Sequence, residues 1–175
     1  MNPFVDFQKR SIDLPFGCKD LADALANANR EPDSRDRWKL LSGLQETERY
    51  LAGLLLQPAA LLYLDISIIR TPHRLLLAPL RDELCILLFI DGSDKGRLPR
   101  VRKFLHDAEI SPAVDVMGNI SVIDATSTRI LIYPLPVVAP DAAELITRVL
   151  REGFALSEEA PLYISSNERL SLDDT

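Results

Sequence analysis

Two cysteines and two histidines are all the chain's 175 residues hold of the usual zinc ligands and thiol nucleophiles. Cys18 and Cys85 lie far apart, and His73 and His106 stand alone, so no zinc-ligand spacing exists. Cys85 lies in an apolar run, where a free cysteine acts as a small hydrophobe. Cys18 follows Gly17 at a predicted helix start, without a paired base. No apolar run reaches the roughly 18 residues of a membrane helix. The nearest stretch, Leu54–Ile69, is broken by Gln57-Pro58 and carries Asp65. The first residues lack the basic-then-apolar order of a signal peptide, which sets the expected location as the cytoplasm. A formal charge of −6 disfavours general binding to nucleic acid or anionic membranes. Walker, dinucleotide-binding and Gly-x-Ser-x-Gly motifs are absent.

What is present is a 47% apolar, globular composition. Leu61–Ile69 alternates: Leu62, Leu64, Ile66 and Ile68 share one face, and Tyr63, Asp65 and Ser67 the other. Arg74–Leu80 and Leu84–Ile90 read as two further strands. The last is apolar on both faces, which places it centrally in a sheet. Arg70–His73 forms a hairpin loop. Pro79 marks an edge position or a strand end.

Ahead of this block, residues 1–34 read as an arm, apolar at Phe4, Val5, Phe7, Ile12, Leu14 and Phe16 and interrupted by Pro3 and Pro15. A short helix is expected over Lys19–Ala28. Phe4, Val5, Phe7 and Phe16 are the candidate interface residues. Trp38, Leu41, Leu44, Leu51 and Leu55 recur at helical spacing and predict one long helix from Arg35 to Leu56, capped by Asp33 or Ser34.

Beyond Ile90, a loop at Asp91–Gly96 leads into a helix over Leu98–Ala108, facing inward through Val101, Phe104 and Leu105. Strands follow at Ala113–Met117, Ile120–Asp124 and Arg129–Tyr133, the first two joined by a turn at Gly118-Asn119. Pro134, Pro136 and Pro140 stiffen a link to a third helix that starts at Asp141 and ends at Gly153. Pro161–Ser165 reads as a last edge strand, and 167–175 as a polar tail. Residues 71–80 and 126–135 echo one another, sharing Thr, Arg, Leu, Pro and Leu at matched positions.

The element order gives an α+β domain over 35–166: a two-layer, mostly antiparallel twisted sheet of about six strands with three main helices. This order, with the small size and acidic balance, resembles the secretion-chaperone class of bacterial proteins. That resemblance, of topology only, implies a dimeric non-enzyme that holds other chains.

Three functional expectations follow. The first is a non-enzymatic protein-interaction module, a homodimer without a cofactor. Its grounds are the apolar arm, the proline-stiffened link and the lack of a catalytic constellation. The second is a binder of a phosphate-bearing ligand at Ser93, Lys95, Gly96, Arg97 and Arg100, where a loop enters a helix N-terminus. The loop is no calcium site, because Lys95 stands where an oxygen ligand is needed. The third is a metal-dependent enzyme built on the strand aspartates Asp65, Asp115 and Asp124. Both histidines are read as exposed.

Overall fold

The computed structural model describes residues 36–56, 61–80, 83–91, 94–110, 114–118 and 128–168. The strands are β1 (Asp36–Leu41), β2 (Leu61–Ile68), β3 (Arg74–Leu80), β4 (Glu83–Asp91), β5 (Val114–Gly118), β6 (Thr128–Pro134) and β7 (Leu162–Glu168). The helices are α1 (Leu44–Leu54), α2 (Arg97–Asp107) and α3 (Ala139–Arg148), the last running into a π turn at Val149–Gly153. The strands form one sheet in the order β1-β7-β2-β3-β4-β6-β5. Every neighbouring pair is antiparallel. This is the expected α+β architecture, with seven strands among the described residues.

The three strands after Leu61 and the central place of β4 match the sequence reading. Six consecutive residues of β4, Cys85 to Ile90, are buried. Ile86, Leu88 and Ile90 join Leu64, Ile66, Leu75, Leu77 and Leu131 in a core closed by the helices. That core takes Leu44 and Leu51 from α1, Val101, Phe104 and Leu105 from α2, and Ala143 and Ile146 from α3. Inward spacing of three and four residues is what gives each helix its buried stripe.

The long helix predicted over Arg35–Leu56 is two elements. Asp36–Leu41 is a strand, and the helix starts only at Leu44. Trp38, Leu41 and Leu44 fit a helical stripe, but the strand pairing of β1 with β7 overrides that periodicity. Ser42-Gly43 makes the break. A Cβ on Gly43 would stand 2.9 Å from the Glu158 carbonyl oxygen, and the Leu44 N–H donates to that same oxygen at 2.9 Å. Gly43 is thus there for close backbone approach. The Ser42 N–H and hydroxyl both donate to Glu46, at 3.1 and 3.2 Å, which secures the helix entry.

The last strand is not an edge: β7 lies between β1 and β2. With its partner β1 assigned to a helix, nothing in the sequence showed the second ladder. Pro79 lies at a strand end, beyond the last β2–β3 pair, Leu64–Leu77, so its missing N–H costs no bond on that side. Helix α3 starts at Ala139, two residues ahead of the expected Asp141, with Pro140 in its first turn. The strand expected at Ile120–Asp124, Asn119 of the predicted turn, and the arm lie outside the described residues.

The echoing segments become β3 and β6, which flank β4 on either side. The echo stops there. At the same offset β4 falls over residues 138–146, which are almost entirely helix α3.

The sheet's second face carries three cross-strand rows. One runs Trp38, Ser165, Asp65, Leu76, Leu87, Ile132. The next runs Leu40, Tyr163, Ser67, Arg74, Phe89, Ile130. A third includes Ala78 and Cys85. Trp38, Leu40 and Tyr163, at the β1 end, are 52, 65 and 39% exposed. Leu76, Leu87, Ile130 and Ile132, at the other end, are 0% exposed, although the helices lie on the opposite face.

Candidate functional site

Asp91, Asp94 and Arg97 meet two other chain segments at one end of the sheet. His73, just before β3, is 4% exposed, which corrects its reading as an exposed histidine. The turn before it folds back on itself: the Thr71 N–H and hydroxyl donate to the Ile68 carbonyl, and the His73 N–H donates to the Thr71 hydroxyl. The imidazole is carried inward, 5.5 Å from the Phe154 ring. Its Nδ1 accepts the Asp91 N–H at 3.4 Å, so the ring proton sits on Nε2 and points at Asp94 Oδ2, 3.1 Å away. Both ring nitrogens are therefore engaged inside the fold.

Asp94 is the hub of this junction. Its Oδ1 accepts the Arg97 N–H at 3.2 Å, which caps the start of α2. Its Oδ2 also lies 3.4 Å from Arg97 Nε. The hydrogen bond from His73, with Arg97 beside it, holds the Asp94 carboxyl below the usual carboxylate range. Arg97 donates onward to the Phe154 carbonyl and lies over the Phe154 ring at 5.9 Å. Arg100 Nε donates to the Glu152 carbonyl at 2.9 Å. Helix ends leave carbonyls without partners, and the two guanidinium groups satisfy those after α3.

The structure thus brings Lys95, Gly96, Arg97 and Arg100 together around one turn, while Ser93 lies outside the described residues. Lys95 and Gly96 are exposed. Arg97 and Arg100 spend donors on the protein's own backbone. The junction's chemistry is that of a clamp between the β4–α2 and α3–β7 connections. His106 is on the far side of α2, 90% exposed beside Asp107.

Two of the strand aspartates, Asp65 and Asp115, are held apart by the strand order. Asp65 is on β2 and Asp115 on β5, with β3, β4 and β6 between them. Four interstrand spacings put them about 19 Å apart, too far to share a metal or a proton. Asp124 lies outside the described residues. Asp65 instead pairs with Arg74 on the second face, at 2.7 Å. The Arg74 guanidinium also covers the Phe89 ring at 5.1 Å. Asp65 Oδ1 and Arg74 Nε are buried without hydrogen-bond partners. Burial raises the Asp65 pKa despite the opposing pull of Arg74. The pair carries one bond where its atoms have capacity for several, so it marks a place where stability is given up.

An open cleft of about 600 Å³ lies between the start of α1 and the segment before β7, lined by Glu46, Glu48, Arg49, Arg151, Glu158 and Glu159 among others. Arg151 and Glu158 neutralise one another there through two contacts. Sequence spacing gave no sign of this cleft or of the His73–Asp94–Arg97 junction, because their members are brought together only by the sheet order. The candidate interface residues Phe4, Val5, Phe7 and Phe16 lie outside the described residues. Among the described residues no three His, Cys, Asp or Glu side chains cluster as a metal site would.

Two predictions come from these pairs. Asp65→Ala leaves the partly buried Arg74 guanidinium without its carboxylate and lowers unfolding stability by about 2 kcal/mol. An Asp65→Leu/Arg74→Met double variant recovers most of that loss, as read by urea denaturation. For Asp94 the folded pKa lies below the unfolded one, so its contribution is complete above the ordinary carboxylate value and is lost as pH falls through the folded one. The gap in denaturation midpoint between wild type and Asp94→Asn is accordingly widest near neutral pH and closes in acid. It is modest, since the side chain is 37% exposed. Comparison of the chain with models of protein families, with curated proteins and with solved structures finds no match.

Proposed function

We propose that the protein is a non-enzymatic interaction module, chaperone-like in class, that works as a homodimer. The carrying observation is the β1 edge. Trp38 and Leu40 stand more than half exposed on a strand at the end of the sheet, with Tyr163 beside them. Among the described residues no strand pairs with the outer side of β1, and an edge with large apolar side chains invites pairing with another chain. The strand's charged residues are Asp36, Arg37 and Lys39, and Lys39 reaches back over the Tyr50 ring at 5.9 Å. Antiparallel pairing of β1 with its copy gives a two-fold interface that joins two sheets and sets both Trp38 side chains near its centre. Val137 and Val138, 97 and 55% exposed in the proline-stiffened link, add apolar surface for a client chain.

A second reading is an anion site at Lys95 and the start of α2, whose first turn carries no acidic residue. It ranks second because Arg97 and Arg100 are engaged with backbone carbonyls.

Sedimentation equilibrium tests the first reading. The wild type is expected to dimerise, and Trp38→Ser/Leu40→Ser to weaken association at least about tenfold. Trp38 is the sole tryptophan, so its emission shifts to the blue as the dimer forms. A monomer at every concentration, with unchanged emission, sinks the homodimer. For the second reading, orthophosphate or a nucleotide should raise the melting temperature in wild type and not in Lys95→Ala. No shift in the wild type removes it.

A further inference from the structure

On the β3–β4–β6 part of the second face Leu76, Leu87, Phe89, Ile130 and Ile132 are buried, yet helices α1–α3 pack on the first face. We propose that residues 1–35 of the same chain are its cover, with Phe4, Phe7, Ile12, Leu14 and Phe16 set against Leu76, Leu87, Phe89, Ile130 and Ile132. In an uncovered sheet these side chains would stand in water. Their exposure of 0 to 3% within a single chain requires that chain's own atoms above them.

The other segments outside the described residues are poor candidates. Residues 57–60, 81–82, 92–93 and 111–113 are two to four residues each and connect element ends. Residues 119–127 have to close the β5–β6 hairpin, and 169–175 end in Asp173, Asp174 and Thr175. Residues 4–16, extended, span about 43 Å, several times the width of three strands. They concentrate six large apolar side chains. They also join the sheet directly through β1, the strand that continues the same face. The proposal does not depend on association through β1.

Cys85 reports on the cover. It lies within the field, 3% exposed, and burial pushes its thiol pKa up to about 11. Cys18 is the only other thiol, so full-length Cys18→Ser carries Cys85 alone. In this background, iodoacetamide should modify Cys85 at least about 100-fold more slowly in buffer than in urea. Adding Phe7→Asp/Phe16→Asp should speed the reaction at least about tenfold while cooperative melting is kept. Leu56→Asp, at an exposed position near the end of α1, should leave the rate unchanged. Should the aspartate variant fail to fold, a photo-crosslinking phenylalanine analogue at position 7 of the otherwise unchanged chain should attach to peptides of β3, β4 or β6. The proposal is overturned by fast modification in the unaltered arm, or by protection that survives the aspartates in a folded protein. Crosslinks only elsewhere, or protection lost on dilution, which would assign the cover to a second copy, overturn it as well.

Discussion

Strand β4 has no wet side. Six successive residues are shut away from water, alternating between two faces, and each large apolar side chain so buried is worth about 1.5–3 kcal/mol. A sheet with such a strand near its middle has to be covered twice. The helices provide one cover, through Leu51, Val101, Phe104 and Ile146. On the second face exposure falls from Trp38 and Leu40 at the β1 end to Leu87 and Ile132 at the other.

That face is not uniform. Between the exposed β1 end and the buried β4 end runs a polar seam of Ser165, Ser67, Asp65 and Arg74. The seam divides apolar surface open to water from apolar surface that is not. An ion pair in such a place is a poor source of stability, because desolvation of both charges opposes their attraction. It does fix the pairing of β2 and β3. A one-residue slip would put Asp65 into the helix-side core in place of Ile66.

Much of this was legible in the residues. The alternation of Leu62 to Ile68, the double apolarity of Leu84 to Ile90 and the inward stripe of Val101, Phe104 and Leu105 led directly to β2, β4 and α2. The failure at Trp38 has a physical cause. An apolar residue every three or four positions suits a helix, but Leu41 is buried here as a strand residue, and Leu44 and Leu51 as helical ones. The joint at Gly43 is dictated by a carbonyl more than a hundred residues away, at Glu158. His73 was misjudged for the same reason. A histidine after a proline in a loop looks solvated until the partners that surround it, Asp94 and Phe154, arrive from other parts of the chain. The loop at Asp91–Gly96 was visible as a helix entry, but not the carbonyls that claim its arginines.

The clamp built by Arg97 and Arg100 has a mechanical meaning. Each guanidinium bridges the start of α2 to the carbonyls that follow α3, while Asp94 ties the same turn to the loop ahead of β3. Three connections far apart in sequence are thereby locked in step. Separation of the helical layer from the strand ends there has to break all of these hydrogen bonds together.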